Sequence, residues 1–312
     1  MGYLNMEVGK VLNKSVSPYR PIRTSVELSR GPIDSRRAAP HPELRSYVAE
    51  FWQYQVHPHT DYVPVQVFPS GCVTLRFNLC PHSVESFLYG PSLSGRLKGV
   101  FYPETLVFGG AFYPERAYHL LGMAAQEVRD SRVALECIWP NSIRTVCDRL
   151  VDDVTFEDRV ATLSSFLRMV LRRDLRLSAD FLNVYADLHS IDLAERDLEP
   201  AMRRYRINGR TIRRHFAKYL GLGPKEMVRV IRVQRAMSAL ARNPSLRLCD
   251  LAFREGFSDQ PHLTREFKEL TGLTPKAYTT VVGHMHRKEL AVWSGVNPVE
   301  RHRKLPDVVR FS

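Results

Sequence analysis

Two stretches of the chain repeat one another fifty-one residues apart, in residues 211–225 and 261–276. At this offset six positions are identical, and they include the glycine and the proline that end each stretch. The identical pairs are Arg214/Arg265, Phe216/Phe267, Gly221/Gly272, Leu222/Leu273, Pro224/Pro275 and Lys225/Lys276. Because chance rarely places glycine and proline at the same spacing in two segments, a duplicated structural unit is the simpler interpretation.

Each copy has the pattern of a helix with one apolar side. The apolar residues recur at helical spacing: Ile212, Phe216 and Leu220 in the first copy, and Leu263, Phe267 and Leu270 in the second. A tight turn at Gly256 precedes the second helix, with Ser258 as its predicted N-cap. The first copy has Asn208 as its predicted N-cap, Arg206 at the turn and Pro200 near the start of its leading helix. We predict two helix-turn-helix units.

A long helix is predicted between the two units. It begins at Pro224, and its apolar positions are Met227, Val230, Ile231, Val233 and Leu240. Such a helix sets the distance between the units. Arg232 lies among these apolar residues, and we interpret it as a buried residue that pairs with a carboxylate.

The opposite sides of the two repeated helices carry side chains suited to DNA. We predict that Gln260, Thr264, Arg265 and Lys268 are exposed in the second copy, and that Arg210, Arg213 and Arg214 are exposed in the first, beside Gly209 and Ala217. Gln can bind adenine, Arg can fork onto guanine, and Thr can contact a thymine methyl group. Arg214 and Arg265 occupy matching positions, so phosphate binding is the alternative role for this pair.

The positive charge of the chain is concentrated in the duplicated region. The whole chain has a formal net charge of +12. Residues 196–280 alone contain eighteen Lys and Arg against eight Asp and Glu, a net charge of +10. Concentrated positive charge in a segment with helix-turn-helix spacing favours a polyanion as partner, and a solvated basic surface is the alternative.

The second copy resembles the second helix-turn-helix unit of the AraC/XylS transcription regulators. The matching motif consists of Gly256-Phe257-Ser258-Asp259-Gln260, Leu263, Arg265, Phe267-Lys268, Gly272-Leu273-Thr274-Pro275 and Tyr278. The resemblance covers residues 190–281. The family usually has a glycine at the position of Arg206 and an uninterrupted helix at the position of Pro200, so these departures predict a distorted first unit. The resemblance implies two units joined by a long helix and placed in successive major grooves of double-stranded DNA. It also implies that Asn208 to Tyr219 and Asp259 to Leu270 are the recognition helices.

The remaining sequence divides by its periodicity. Residues 1–39 are predicted to be a flexible leader, and residues 40–140 a β-rich domain that opens with a helix at Leu44, Tyr47, Val48 and Phe51. Residues 141–192 are predicted to be a helical connector, residues 193–281 an all-α domain that folds alone, and residues 282–312 a basic tail. The predicted fold class is therefore α+β, with a cupin-like barrel as one form of the β-rich domain.

The β-rich part has a weaker similarity to the sensor-like domain of one branch of the same family. The similar segments are His41-Pro42-Glu43-Leu44, Phe68-Pro69-Ser70-Gly71-Cys72, Phe77-Asn78, Gly90-Pro91 and Ala117-Tyr118-His119-Leu120-Leu121-Gly122. The resemblance implies a regulatory role for residues 40–140.

Other kinds of chemistry find little support in the sequence. No run of eighteen apolar residues and no secretory signal is present, and five scattered cysteines favour a reducing cytoplasm. We find no Gly-rich phosphate loop, nucleophile elbow or paired-carboxylate motif, so no cofactor and no catalytic residue is predicted. His57 with His59, and Cys72 with Cys80 and His82, are considered as metal or redox sites, but a loop and core packing are favoured.

The sequence therefore predicts a cytoplasmic, sequence-specific transcription regulator that is not an enzyme. Its expected partners are double-stranded DNA, a small-molecule effector at the β-rich domain, RNA polymerase and a second copy of the chain, and no membrane. One alternative is a metal-dependent, barrel-like enzyme with a nucleic-acid-binding tether. Another is an architectural DNA-binding protein without an effector.

Overall fold

The computed structural model describes residues 33–58, 63–66, 68, 71–80, 83–93, 98–101, 103–190 and 198–286. The predicted leader therefore lies outside the described residues up to residue 32, and the predicted tail does so from residue 287. The described part consists of an antiparallel sheet with helices, followed by an all-α region. The predicted α+β class is confirmed.

Six strands form the main antiparallel sheet, in the order β1-β2-β7-β4-β5-β8. They are β1 (Ile33–Ala38), β2 (Val48–Val56), β4 (Thr74–Cys80), β5 (Ser83–Tyr89), β7 (Leu106–Phe112) and β8 (Arg132–Ala134). A separate pair consists of β3 (Val63–Gln66) and β6 (Lys98–Phe101). In the described residues the main sheet has two open edges, β1 and β8, so it is not the closed barrel of the cupin-like form.

Alternation of buried and partly exposed side chains identifies the central strand β4. In β4 the side chains of Leu75, Phe77 and Leu79 are buried, and the residues between them are partly exposed. Phe77 lies opposite Phe108 of β7, with ring centroids 6.3 Å apart. One face of the sheet therefore packs in the core.

Two expectations for the start of this domain are wrong. Residues 33–38 are not part of a leader, because they form β1 and pair with β2 along its length. The helix predicted around Val48 and Phe51 is a strand. Phe51, Trp52, Gln53 and Tyr54 are all buried, so this strand is covered on both faces and lacks the alternation that identifies a half-buried strand.

In the part of the chain that the structure describes, three α-helices accompany the sheet. They are α1 (Ala117–Leu121), α2 (Ile143–Asp152) and α3 (Phe156–Val170). The ring of Phe156 meets Phe108 of the sheet edge-to-face, with centroids 6.2 Å apart. Leu163 and Leu167 of α3 are buried in the same core. Most of the buried hydrophobic side chains between Leu44 and Leu171 therefore form one core, and we call the described residues of 33–170 the sheet domain.

Seven further helices within the described residues form the helical domain. They are α4 (Ala179–Ser190), α5 (Leu198–Arg204), α6 (Gly209–Leu220), α7 (Pro224–Arg242), α8 (Leu248–Arg254), α9 (Gln260–Thr271) and α10 (Pro275–His286). The ring centroid of Phe181 in α4 lies 4.8 Å from that of Tyr219 and 5.5 Å from that of Phe216, both in α6. The first helix of this domain is therefore α4.

This packing corrects two predicted boundaries. The connector predicted for residues 141–192 is divided, because α2 and α3 pack on the sheet while α4 packs on the helical domain. The helical domain thus begins before residue 193, and α10 continues past residue 281. Periodicity identified these helices correctly but does not indicate which core a helical stripe joins.

The role of α4 can be tested with two fragments. We expect residues 178–286 to unfold cooperatively on heating, as followed by circular dichroism. Residues 193–286 should lose this transition, because removal of Phe181 and Tyr185 exposes the apolar side of α6. Equal melting temperatures for the two fragments would show that α4 is dispensable.

Candidate nucleic-acid interface

Side-chain caps start both repeated helices. The side-chain oxygen of Asn208 accepts a hydrogen bond from the N–H of Thr211 at 2.8 Å. At the second helix the carboxylate of Asp259 accepts from the N–H of His262 at 2.6 Å. The predicted N-cap, Ser258, is therefore wrong. The chain stays extended for one more residue, and the carboxylate of Asp259 caps the helix.

The turns before the two helices have the same hydrogen bonding. The N–H of Gly256 donates to the carbonyl of Phe253 at 3.1 Å, and the N–H of Arg206 donates to the carbonyl of Arg203 at 3.2 Å. Gly256 has a φ of 71° and Arg206 a φ of 51°, so the arginine adopts a left-handed conformation that suits glycine. Pro200 lies in the first turn of α5, which continues through it. The distortion predicted for the first unit is thus limited to strain at Arg206.

The predicted apolar stripes are confirmed. Ile212, Phe216 and Leu220 are buried in α6, and Leu263, Phe267 and Leu270 are buried in α9. Phe267 also packs against Tyr278 of α10, with ring centroids 5.5 Å apart. Both helices end at glycines in the left-handed conformation, Gly221 and Gly272.

Most of the candidate DNA-binding side chains are exposed. They are Arg210, Arg213 and Arg214 on α6, and Gln260, Arg265 and Lys268 on α9. Thr264 is half-buried, and its hydroxyl donates to the carbonyl of Gln260 at 2.9 Å. The structure therefore places six of the seven candidates on the exposed surface and Thr264 at a half-buried position.

The candidates do not all point the same way around their helices. Adjacent residues of a helix are separated by about 100°. Arg265 lies opposite the buried stripe, whereas Thr264 lies on the flank. In the first unit Arg214 matches Arg265, and Arg213 matches Thr264. The two units thus differ at this flank position, which is cationic in one unit and neutral in the other.

An ion-pair cluster that sequence reasoning missed fixes the position of α9. Arg229 of α7 donates to Glu266 at 2.9 Å and lies 2.8 Å from a carboxylate oxygen of Glu269. Arg232, for which a carboxylate partner was predicted, instead lies over the ring of Phe257, at 6.0 Å from its centroid. Burial lowers the pKa of Arg232, and the nearby charge of Glu266 offsets part of this effect.

The residues considered for metal binding are only partly described. His59 and His82 lie outside the described residues. The ring of His57 is 3.3 Å from the carboxylate of Asp34, and Cys72 packs into the core of the helical domain. Within the described ranges, no group of three or more His, Cys, Asp or Glu side chains is arranged to hold a metal ion. Within the same ranges, no helix has both the length and the apolar character of a membrane span.

Two family models match separate parts of the chain. Residues 202–280 match a model described as a helix-turn-helix domain, and residues 36–134 match a domain of unknown function, DUF6597. The C-terminal region is therefore a helix-turn-helix domain of the AraC type, as the resemblance implied.

Known proteins with similarity to the chain include regulators. The ornithine utilization regulator of Pseudomonas aeruginosa is 26% identical over 204 residues, which are 63% of this chain and 54% of that protein. The chain thus matches about half the length of this relative. Two structures of ToxT from Vibrio cholerae, one of them an apo variant, are 12% and 13% identical, each with a TM-score of 0.38. The matches cover 80% and 81% of this chain and 97% and 98% of ToxT.

The assignment of buried and exposed sides can be tested by substitution. Phe267→Ala should lower the free energy of unfolding by about 3–5 kcal/mol, because it empties the centre of the second unit. Gln260→Ala should leave the melting temperature unchanged, because the side chain is exposed. Equal melting losses for the two variants would contradict this assignment.

The strain at Arg206 leads to a separate prediction. Arg206→Gly should raise the free energy of unfolding by about 0.5–1 kcal/mol, because glycine adopts a positive φ without steric cost. The matched change Gly256→Ala should be destabilising for the same reason. Chemical denaturation measures both, and loss of stability in Arg206→Gly would show that the arginine side chain outweighs the backbone strain.

Proposed function

We propose that the chain is a cytoplasmic transcription regulator that binds specific sequences of double-stranded DNA. One observation carries this proposal: two capped helices, each buried on one side and with exposed Arg or Lys side chains on the other, are held on the common helix α7. The match of residues 202–280 to a helix-turn-helix domain and the net charge of +10 over residues 196–280 support it.

The proposed mechanism uses binding energy alone. Arg and Lys side chains neutralise phosphates and release counterions, which gives general affinity for DNA. The recognition helices α6 and α9 then read base edges in successive major grooves, about 34 Å apart. No catalytic residue is required for this function.

We further propose that the two units have different roles in DNA binding. Arg210, Arg213 and Arg214 make α6 the more cationic helix, so it would supply mainly phosphate contacts. On α9, Gln260 would read a base, while Arg265 and Lys268 hold the helix in register. The hydroxyl of Thr264 is already bonded to the backbone, so its methyl group remains for contact with thymine.

The sheet domain is proposed to control this activity. Residues 36–134 match a separate family model and pack against the first helix-turn-helix unit, which supports a regulatory role. A small-molecule effector would act by binding one arrangement of the two domains more tightly than another. RNA polymerase and a second copy of the chain are the further partners we propose.

The proposal predicts a strong dependence of DNA affinity on salt. For about six to ten phosphate contacts, affinity should fall by roughly 10³–10⁵ between about 50 and 200 mM salt. Fluorescence anisotropy with labelled duplex DNA measures this. A nearly constant affinity would rule out the phosphate mechanism, and genome-wide footprinting would identify the sites.

Paired variants should separate phosphate binding from base reading. Replacement of Arg213 and Arg214 by Ala should weaken binding to all sequences and reduce the salt slope by about one to two. Replacement of Gln260 and Thr264 by Ala should instead change the preferred sequence, as measured by selection from a random duplex pool. The exposed residues Arg144 and Arg149 of α2 provide a charge-matched control, whose replacement should do neither. A new preferred site in the first-unit variant would contradict the division.

A further inference from the structure

A basic segment connects the two domains. Residues 171–178 lie between α3 and α4 and contain three arginines against one aspartate. The three arginine side chains are exposed, and they belong to Arg172, Arg173 and Arg176. Within the described residues none of the three forms an ion pair, whereas Arg168 of α3 pairs with Glu43. We call residues 171–178 the interdomain segment, and its positive charge is available to an anionic partner.

Two hydrogen bonds to a single residue fix the main chain of the interdomain segment. The N–H of Arg172 donates to the carbonyl of His119 at 2.9 Å. Because a carbonyl oxygen only accepts, Nε2 of the same histidine donates to the carbonyl of Leu175, at 3.0 Å. His119 belongs to α1 and is buried. The segment is therefore held against the sheet domain and presents its arginines from a fixed backbone.

Both ends of the interdomain segment are attached to the same flank of α6. Tyr118, the neighbour of His119, has its ring centroid 4.6 Å from the ammonium group of Lys218. Just after the segment, the ring of Phe181 meets that of His215 edge-to-face, with centroids 6.3 Å apart. Lys218 and His215 are three positions apart, so they are neighbours on the surface of the helix. The segment therefore lies beside the flank that these two residues form.

This flank adjoins the exposed, cationic side of α6. At about 100° per residue, Lys218 is only about 40° around the helix from Arg214. Arg214 is exposed, and Lys218 is half-buried. The positive charge of the helix thus continues through Lys218 to the side where the interdomain segment lies.

The matching flank of the second unit has the opposite charge. Fifty-one residues later, Glu266 takes the place of His215, and Glu269 takes the place of Lys218. Arg229 of α7 holds these two carboxylates at 2.9 and 2.8 Å. Among the described residues, a cationic flank beside an arginine-rich segment is therefore a feature of the first unit. This agrees with the larger share of phosphate contacts proposed for that unit.

The dimensions of DNA place a phosphate backbone at this flank. A helix with its side chains is about 10–12 Å wide, and the major groove is about 12 Å wide. A helix that fills the groove therefore has one phosphate backbone along each of its flanks. The backbone on the side of Lys218 and His215 would meet the interdomain segment. Guanidinium groups suit this partner, because their paired N–H donors bind phosphate oxygens.

We propose that the interdomain segment is a third DNA-binding element, whose arginines bind phosphates of the strand that passes beside α6. This inference rests on the proposed DNA-binding function. Phosphate contacts carry no sequence information, so the segment adds affinity without changing the preferred sequence. Because His119 holds the segment, the sheet domain also takes part in positioning the bound DNA.

The test measures the salt dependence of DNA affinity in full-length proteins. The double variant Arg173→Gln with Arg176→Gln should lower the slope of log affinity against log salt by about two. It should weaken binding roughly 10- to 100-fold near about 0.1 M salt, for selected and random duplexes alike. Arg172 stays unchanged, because its side chain packs on the turn at Gly122, where a Cβ atom would lie 2.8 Å from its Nε.

Two control variants separate position from net charge and from folding. Arg144→Gln with Arg149→Gln removes the same charge from exposed positions of α2 and should leave the slope and the affinity at the wild-type values. Arg173→Lys with Arg176→Lys keeps the charge and should retain most of the affinity. All three variants should melt at the wild-type temperature, because the altered side chains are exposed.

A second measurement alters the DNA instead of the protein. Single phosphates along a selected site are replaced by neutral methylphosphonates, and the affinity of each duplex is compared with that of the unmodified one. A group of phosphates on one strand should contribute to binding by wild type and by the Arg144→Gln with Arg149→Gln variant. The same phosphates should contribute little to binding by the Arg173→Gln with Arg176→Gln variant.

The outcomes distinguish this inference from the proposed function. An unchanged salt slope in the Arg173→Gln with Arg176→Gln variant would overturn the third element and leave the proposed function intact. Equal losses in the α2 control would show that net charge alone matters, and a new preferred sequence would show an effect on base reading. Either result also overturns the inference. Failure of every protein, including wild type, to bind duplex DNA at low salt would overturn the proposed function itself.

Discussion

The arrangement of the two repeated helices, α6 and α9, depends on one apolar core built around α7. This helix is buried along most of its length and shares its core with α4, α6, α9 and α10. Its nineteen residues correspond to about 28 Å at 1.5 Å per residue. That length is of the order of the roughly 34 Å between successive major grooves. A core of this kind resists changes in the distance between α6 and α9, because close-packed interiors transmit displacement instead of absorbing it.

Local chemistry explains why the helical domain could be predicted well from the sequence. Caps, terminal glycines and apolar stripes act within a few residues of one another, so Asn208, Gly221 and Gly272 identify the helix ends by their type and position. The cap at Asp259 was missed because two adjacent residues, Ser258 and Asp259, both suit the position. Only the extended backbone at Asp259 decides between them.

Features that depend on long-range packing could not be predicted. The sequence does not identify strand β2, because burial on both faces removes the alternation of a half-buried strand. The stripe of α4 was recognised, but its partner core was not, since Phe181 packs on residues more than thirty positions later. The ion pairs of Arg229 with Glu266 and of Arg129 with Glu226 join residues 37 and 97 positions apart. The exposure of most candidate DNA-binding side chains follows from the period of the helix alone. The roles of these side chains remain predictions.

Duplication leaves two similar units in different surroundings, and electrostatics then separates them. In the second unit Glu269 pairs with Arg229 inside the helical domain, at 2.8 Å. A lysine there would place like charges together and weaken the attachment of α9 to α7. In the first unit Lys218 faces the ring of Tyr118, whose negative face attracts a cation and would repel a carboxylate. The two charges therefore cannot be exchanged without loss at both places. This mutual dependence ties the contact of the sheet domain to the first unit and that of α7 to the second.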